Sequence, residues 1–251
     1  MKNSPKDNDN ATITRRDFIK VTGTIILVAG IGGHKPLEAD ASPTSTNTPG
    51  TGQILVTANA IPPADGYLLV DVEKCQGCLS CMLACSLIHE GVESLSLSRI
   101  QIMQNSFESF PDDLTIEQCR QCVDPACVEV CPTGALAANG EYGNVRMVDK
   151  EKCIGCGLCH TACPFTPSRA FLAADKTYDD EARSRKCDLC ANAPYHWDAA
   201  GGGPDGKQAC GAVCPVGAIM FTKEIPEQDG DGGYKVNLRG EAWAILGYPA
   251  S

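Results

Sequence analysis

The sequence is poor in aromatic residues and in long apolar runs. Aromatic residues make up 6% of the 251 residues, and few apolar stretches are long enough to fill a large core. We therefore expect something other than an apolar core to help hold the chain together, as bound metals do in small domains. The chain also lacks a basic face. Its formal net charge is -10 at pH 7, which argues against a nucleic-acid partner.

Cysteine, in contrast, is abundant. The sixteen cysteines fall into four groups of four with none left over: Cys75, Cys78, Cys81, Cys85; Cys119, Cys122, Cys127, Cys131; Cys153, Cys156, Cys159, Cys163; and Cys187, Cys190, Cys210, Cys214. Groups one and three are spaced C-x2-C-x2-C-x3-C. The middle gap is four residues in group two and nineteen residues in group four.

This spacing is typical of [4Fe-4S] ligands in bacterial ferredoxins, in which three thiolates bind one cluster and the fourth binds a neighbouring one. Three groups end in the C-P signature, at Pro132, Pro164 and Pro215. Zinc sites also use C-x2-C pairs, but the third cysteine of groups one and three has no role in a zinc site built from two pairs. The sequence therefore favours iron–sulfur ligation over zinc or disulfides, and group four by itself would be the weakest case.

The N-terminal region resembles a twin-arginine export signal. Arg15 and Arg16 precede Asp17, Phe18 and a short apolar run, and a small-x-small cleavage site follows at residues 39–41. An amphipathic N-terminal helix is the alternative, and the glycine content makes it the poorer reading. We predict a signal over residues 1–41 and a flexible leader over residues 42–66. The resemblance implies that a folded, metal-loaded protein is exported to the periplasm, peripheral to the membrane or tethered by an uncleaved signal.

The motifs also indicate an internal duplication. VDVEKCQGC (70–78) and VDKEKCIGC (148–156) match at seven of nine positions, and CPTGAL (131–136) matches CPVGAI (214–219) at four of six. We predict an α+β fold of two ferredoxin-like lobes over residues 67–224, rich in loops and with two clusters per lobe. A C-terminal hairpin and tail should follow over residues 225–251. Short strands are expected at residues 67–72, 99–103, 145–148, 219–222 and 234–238.

The residues do not decide which motifs share a lobe. Exchanging the two halves swaps motif one with motif three and motif two with motif four. Pairing one with four and two with three respects this symmetry, and so does pairing one with two and three with four. Both arrangements remain open at this point.

Residues 67–222 resemble the four-cluster electron-transfer subunits of molybdenum and tungsten oxidoreductases, of the dimethyl sulfoxide reductase and formate dehydrogenase type. The resemblance is carried by CRQCVDPACVEVCPTGAL (119–136), CIGCGLCHTACPF (153–165) and KCDLC (186–190). It implies pairing of motif one with four and of two with three. The implied ligand sets are Cys75, Cys78, Cys81 with Cys214; Cys187, Cys190, Cys210 with Cys85; Cys119, Cys122, Cys127 with Cys163; and Cys153, Cys156, Cys159 with Cys131.

The same resemblance implies four [4Fe-4S] clusters and no catalytic residues. The expected partners are a catalytic subunit with a molybdenum- or tungsten-pterin cofactor and a quinone-linked membrane subunit or cytochrome. The tail lacks the transmembrane helix of some relatives, so membrane contact would need another subunit. A stand-alone exported polyferredoxin is the alternative function. Two further expectations are a less constrained exit from group one, where Ser86 replaces proline, and a tolerated surface insertion or partner contact at residues 191–209.

Overall fold

Short antiparallel strand pairs and short helices carry the cysteine groups. The computed structural model describes residues 61–110, 112–196, 201–230 and 233–247, so the predicted signal and most of the predicted leader lie outside the described residues. The strands are β1 Tyr67–Val70, β2 Ile100–Gln104, β3 Leu114–Gln118, β4 Leu136–Asn139, β5 Val145–Val148, β6 Ala170–Asp175, β7 Glu181–Lys186, β8 Ile219–Thr222, β9 Gln228–Asp229 and β10 Gly233–Tyr234. The α-helices are α1 Ser80–Glu90, α2 Ala126–Glu129, α3 Leu158–Thr161, α4 Ala209–Ala212 and α5 Glu241–Ile245.

One strand pair joins distant parts of the chain, and a short hairpin joins the strands next to groups two and three. β1 pairs with β8, with Tyr67 opposite Thr222, and β4 pairs with β5, with Leu136 opposite Val148. β1 leads into cysteine group one and β8 follows group four, while β4 follows group two and β5 leads into group three. The strand pairing therefore brings group one to group four and group two to group three. The other long pairs, β2 with β3 and β6 with β7, are hairpins between consecutive groups.

Most predicted strands are confirmed. β5 and β8 have the predicted bounds, β1 ends two residues early, and β2 is displaced by one residue. The predicted strand at residues 234–238 is wrong, because only Gly233–Tyr234 pairs with another strand. After it, the Val236 N–H donates to the Tyr234 carbonyl at 2.8 Å, and the Leu238 N–H donates to Asp71 Oδ2 at 2.8 Å. The Lys235 N–H still donates across the hairpin to the Glu227 carbonyl at 3.0 Å, but the Val236 and Leu238 donors are used by a local turn and by a side chain.

The length of the helix in each cysteine group depends on which residue comes after the group's last cysteine. α2, α3 and α4 have four residues each and stop before a Cys-Pro pair, as expected for a residue that precedes proline. α1 has eleven residues and runs through Cys85 and Ser86 to Glu90. The Ser86 side chain is buried, donates to the Leu83 carbonyl at 3.1 Å and accepts from the Ser94 N–H at 3.0 Å. The expectation of a less constrained exit is wrong, because serine lets the helix continue.

Cysteine side chains are themselves members of the main core. It combines the apolar faces of β1, β2, β3 and β8 with cysteines of all groups except group three; its fully buried members include Leu68, Val70, Ile100, Ile116 and Leu189. Such a core relies on whatever the thiols bind for part of its stability. No helix within the described ranges is both long enough and apolar enough to cross a membrane.

The long gap of group four packs back onto the group itself. The Gly203 N–H donates to the Leu189 carbonyl at 2.7 Å, and a Cβ at Gly202 would collide with the Cys190 carbonyl. Gln208 is buried and its amide donates to the Gly203 carbonyl at 2.7 Å. A loosely tolerated surface insertion is therefore the wrong description of residues 201–209. Contact of this gap with a partner subunit stays a prediction.

Candidate electron-transfer site

Two quartets of cysteines each line a cavity. Cys75, Cys78 and Cys81 of group one share one cavity with Cys214 of group four, whose other walls include Ile102 and Ile116. Cys153, Cys156 and Cys159 of group three share the other with Cys131 of group two. Each quartet therefore takes three thiols from one group and one from the group paired with it.

The remaining eight cysteines act on one another's pKa values in two further sets of four, and none of the eight is exposed. Burial raises the pKa of Cys210 well above its ordinary value, and the nearby Cys190, Cys187 and Cys85 add to the rise. Burial likewise raises the pKa of Cys127 to about 12, with contributions from Cys119, Cys122 and Cys163. The two quartets that line cavities have the membership that the resemblance implies, and the ligand sets as a whole stay a prediction.

Thiols held so close together at so high a pKa remain protonated at neutral pH unless a metal replaces the proton. In the first quartet, burial raises the pKa of Cys81 to about 12, and the neighbouring Cys75, Cys78 and Cys214 contribute. A coordinating metal deprotonates a thiol outright and removes this cost. Deprotonating these thiols costs free energy when no cation is present. The cost falls when the thiolates share a metal cation.

Backbone N–H groups point at the cysteine sulfurs. Seven N–H to Sγ contacts of 3.2–3.4 Å recur across the four groups: Gly77 to Cys75, Arg99 to Cys85, Gln121 to Cys119, Leu136 to Cys131, Ser184 to Cys153, Arg169 to Cys163 and Ala218 to Cys214. Such donors stabilise negative charge on sulfur and help set the reduction potential of an iron–sulfur centre.

Each C-x2-C turn has a left-handed residue just before its second cysteine. The four residues are Gly77, Gln121, Gly155 and Leu189, with φ of 65°, 48°, 67° and 56°. In the first two turns this conformation aims the residue's own N–H at the sulfur of the first cysteine. Gln121 and Leu189 adopt a conformation that is uncommon for side-chain-bearing residues, and strain of this kind clusters at functional sites.

Two family models, both described as 4Fe-4S dicluster domains, match the chain at residues 67–132 and 112–224. Among relatives, the thiosulfate reductase electron transfer subunit PhsB of Salmonella typhi is 36% identical over 159 residues, which cover 61% of this chain and 73% of the relative. The aliphatic sulfonate oxidoreductase polyferredoxin-like subunit of Pyrococcus furiosus is 40% identical over 128 residues, covering 51% of this chain and 67% of the relative. The chain belongs to the 4Fe-4S dicluster family.

Another member of similar sequence is the beta subunit of the NADH-dependent phenylglyoxylate dehydrogenase of Aromatoleum evansii. It is 37% identical over 165 residues, which cover 64% of this chain and 31% of the relative. The chain thus spans about a third of that protein. The names of other relatives describe an electron transfer subunit, an electron transport protein and an iron–sulfur protein rather than catalytic subunits. This 4Fe-4S dicluster protein is accordingly an electron-transfer protein, and the prediction of a non-catalytic iron–sulfur subunit is confirmed.

The residues of this dicluster protein fit iron–sulfur clusters. All sixteen cysteines lie within the described ranges and are free thiols, and each quartet offers four soft donors, the type that iron–sulfur clusters use. Apolar side chains and inward N–H groups surround them. In the described part of the chain, no three or more His, Cys, Asp or Glu side chains surround a single metal-ion position.

His89 is a site residue that sequence reasoning missed. Its Nδ1 lies 3.7 Å from Cys85 Sγ, and its Nε2 lies 3.0 Å from the Asp188 carboxylate, which also accepts from Arg99 at 2.6 Å. Burial and Arg99 lower the pKa of His89, but Asp188 outweighs them and the pKa is raised to about 9. His160, which follows Cys159 in α3, is exposed. Sequence spacing gave no signal for His89, since Asp188 is 99 residues away.

A second missed feature had a readable signal. The pair Ser98–Arg99 directly precedes β2, and the pair Ser168–Arg169 directly precedes β6. The two pairs make equivalent hydrogen bonds in the two halves. Each arginine N–H donates to the last cysteine of the preceding group. Each serine hydroxyl donates to the carbonyl two residues on, at 2.6 Å for Ser98 and 3.0 Å for Ser168. The repeated Ser-Arg pair, placed directly before the strand that follows group one and group three, could have pointed to both arginines, although the arginine lies 14 residues after Cys85 and only 6 after Cys163.

Gly155→Ala should destabilise this dicluster protein more than Gly134→Ala. Both glycines are left-handed, with φ of +67° and +65°, so alanine costs about 1–2 kcal/mol at either position. At Gly155 a Cβ would also collide with the Ala182 carbonyl, whereas nothing lies within 4 Å at Gly134. We expect a further loss of about 1–3 kcal/mol for Gly155→Ala. Anaerobic denaturation followed by cluster absorbance measures the difference in free energy of unfolding. Equal losses in the two variants would show that β7 moves away from the added Cβ at no measurable cost.

Proposed function

We propose that the chain holds four [4Fe-4S] clusters and relays single electrons along them. The proposed ligand sets are the four quartets described above. We name them by position: outer site A is Cys75, Cys78, Cys81, Cys214; inner site B is Cys85, Cys187, Cys190, Cys210; inner site C is Cys119, Cys122, Cys127, Cys163; and outer site D is Cys131, Cys153, Cys156, Cys159. When bound, each cluster accepts and releases one electron without transfer of atoms.

A linear order of the sites supports this proposal. Cys81 of site A acts on the pKa of Cys210 in site B, and Cys119 of site C acts on the pKa of Cys187 in site B. Cys159 of site D packs with Cys127 of site C in one apolar cluster. The order is therefore A, B, C, D.

Solvent exposure of the cysteines is the observation that carries the proposal. Each outer site has an exposed cysteine, Cys78 in site A and Cys156 in site D, while neither inner site has one. A chain of sites that opens to the surface at both ends can accept an electron from one partner and deliver it to another. Two pairs of sites in symmetric halves also support the proposed duplication into ferredoxin-like lobes, with sites A and B in one lobe and C and D in the other.

The protein's own residues set the conditions for this relay. The seven inward N–H donors stabilise the sulfur charges, and the apolar walls of sites A and D keep water from the thiolates while leaving one edge open. The backbone N–H groups of buried Arg99 and buried Arg169 donate to Cys85 of site B and to Cys163 of site C, while the two guanidinium groups pair with Asp188 and Glu117.

We further propose the partners and the location that the family resemblance and the twin-arginine motif support. A catalytic subunit with a molybdenum- or tungsten-pterin cofactor would meet one outer site, and a quinone-linked membrane subunit or cytochrome would meet the other. The complex would act in the periplasm after export in folded form. The thiosulfate reductase and sulfonate oxidoreductase subunits among the relatives are consistent with a role in a multi-subunit oxidoreductase.

Metal analysis of the tagged protein, purified anaerobically from its own host, tests the proposal. We expect about sixteen irons per chain, four for each of four cubane clusters, together with molybdenum or tungsten from the partner. The same iron without either metal would overturn the catalytic partnership and favour a stand-alone polyferredoxin. Zinc in place of iron would overturn the cluster assignment altogether.

A further inference from the structure

A buried lysine lies where the two inner sites meet. Lys186 ends β7 and directly precedes Cys187 of site B, and the residue is 3% exposed. Its Nζ donates to the Arg146 carbonyl at 2.6 Å and to the Cys187 carbonyl at 3.2 Å. No ion pair found among the described residues includes Lys186. Burial lowers the pKa of Lys186, but the neighbouring Cys119, Cys127 and Cys187, which belong to both inner sites, outweigh burial and raise the pKa.

Gln121 holds the two inner sites together at the same place. Its N–H donates to Cys119 Sγ of site C at 3.4 Å, and its side-chain amide donates to the Cys187 carbonyl of site B at 2.8 Å. Its amide oxygen accepts from the Arg146 N–H at 2.8 Å, so both ends of the amide are occupied. The residue is 1% exposed. One residue thus links the two sites, with its backbone N–H on a sulfur of site C and its side-chain amide on the backbone of site B.

We propose that Lys186 is a positioning residue for electron passage between sites B and C, and that its buried positive charge raises the reduction potentials of both inner clusters. This inference rests on the proposed function. An electron that arrives at either inner site adds one negative charge without a proton. A cation excluded from water favours that charge strongly, because the surroundings screen it little. Both inner sites feel the same cation, so it makes the middle of the relay easier to reduce without favouring either side.

The sequence offers a matched control. Lys152 precedes Cys153 of site D as Lys186 precedes Cys187, so the two lysines occupy the same place relative to their motifs. The Lys152 side chain is 66% exposed and pairs with Asp149 at 2.8 Å. Water and this carboxylate screen its charge. Removal of the Lys152 charge should therefore leave the four potentials almost unchanged.

The test is an anaerobic redox titration, followed by electron paramagnetic resonance, of the full chain carrying Lys186→Met or Lys152→Met. In Lys186→Met we expect the reduction equilibrium constants of two clusters to fall about tenfold or more, each tenfold being about 59 mV for one electron. The other two clusters should shift less, and Lys152→Met should match the wild type. Lys186→Arg, which keeps the charge, should restore the two potentials towards the wild-type values.

Unchanged potentials in Lys186→Met would overturn the inference, and so would equal shifts in the two methionine variants. If Lys186→Met loses iron, Lys186→Gln keeps a hydrogen-bond donor without the charge and is titrated instead. Loss of iron from both variants would also overturn it, because the lysine would then be structural. The wild-type iron count separates this failure from failure of the proposed function, since the inference fails alone only when the wild type holds about sixteen irons.

Discussion

Replacing Arg185 with methionine should lower the free energy of unfolding by about 3–5 kcal/mol, because two buried carboxylates would lose a shared cation. The Arg185 side chain is 2% exposed. Its Nη2 donates to Glu90 Oε2 and to Asp175 Oδ2, both at 3.1 Å. Burial raises the pKa of Glu90, but Arg185 and Lys150 outweigh burial and lower it. Both carboxylates are therefore charged at neutral pH.

The loss should be large because the remaining cations replace Arg185 poorly. Arg99 reaches Glu90 Oε1 at 3.6 Å, and its shorter ion pair, at 2.6 Å, is with Asp188. Lys150 reaches Glu90 Oε2 at 3.3 Å and Asp175 Oδ2 at 2.8 Å, but its side chain is 21% exposed and provides one point charge rather than a planar fork. Glu90 ends α1 in the first half of the described fold, while Asp175 ends β6 in the second half. Without Arg185 the contact between the halves would hold charges that are neither hydrated nor fully paired.

Arg183→Met is the matched control. Arg183 lies two residues earlier on β7, and its carboxylate partner Glu181 is 68% exposed at a distance of 2.9 Å. Because that partner remains hydrated, we expect a loss of only about 1 kcal/mol. Arg185→Lys should give an intermediate loss. Anaerobic guanidinium unfolding, followed by circular dichroism and cluster absorbance, measures all three variants, and equal losses at Arg185 and Arg183 would contradict a stabilising network.

The cysteine groups and several strands could be predicted because they depend on local rules. A C-x2-C turn brings two sulfurs together whatever the rest of the chain does, and β5 and β8 have the alternation and flanking residues of short strands. The pairing of groups is different. For groups one and four it depends on contacts between residues about 150 positions apart, such as Tyr67 and Thr222, and two symmetric pairings satisfied the residues equally well. Only the family resemblance chose between them.

Buried charges escaped prediction for a related reason. Lys152 and Lys186 each precede a motif cysteine, yet one is hydrated and the other is enclosed. Local sequence does not distinguish them, since enclosure of Lys186 depends on Cys119 and Arg146, which come from another group and another strand. The same holds for His89, which is buried only because Asp188 and Arg99 meet it from other elements.

The absence of one proline accounts for much of what was missed in the first half. Because Ser86 and not proline follows Cys85, α1 continues for four residues beyond Ser86. This extension places His89 beside Asp188 and Glu90 beside Arg185. In the other three groups, proline stops the helix and no such extension exists. Serine in place of the signature proline at position 86 was expected to loosen this part of the chain. Instead it allows the longer helix that brings Glu90 into the buried ion pairs with Arg185.

Ser86→Pro would restore the Cys-Pro signature of the other three groups, and we expect it to destabilise the protein by about 3 kcal/mol or more. Proline at the seventh position of α1 removes a helical N–H and places its ring against the carbonyl of Met82. It also removes the hydroxyl that accepts from the Ser94 N–H. Helix α1 would end near Cys85, and His89 and Glu90 would lose their positions.

Ser86→Ala separates the two effects, because it removes the hydroxyl and keeps the helical N–H. We expect it to cost about 1–3 kcal/mol for the unsatisfied Ser94 N–H, without loss of the helix. Pro variants that retain all iron and unfold at the same denaturant concentration as Ser86→Ala would mean that α1 beyond Cys85 contributes nothing to stability. The expected result, a larger loss in Ser86→Pro, would show that this chain depends on the residue by which it departs from its own repeated motif.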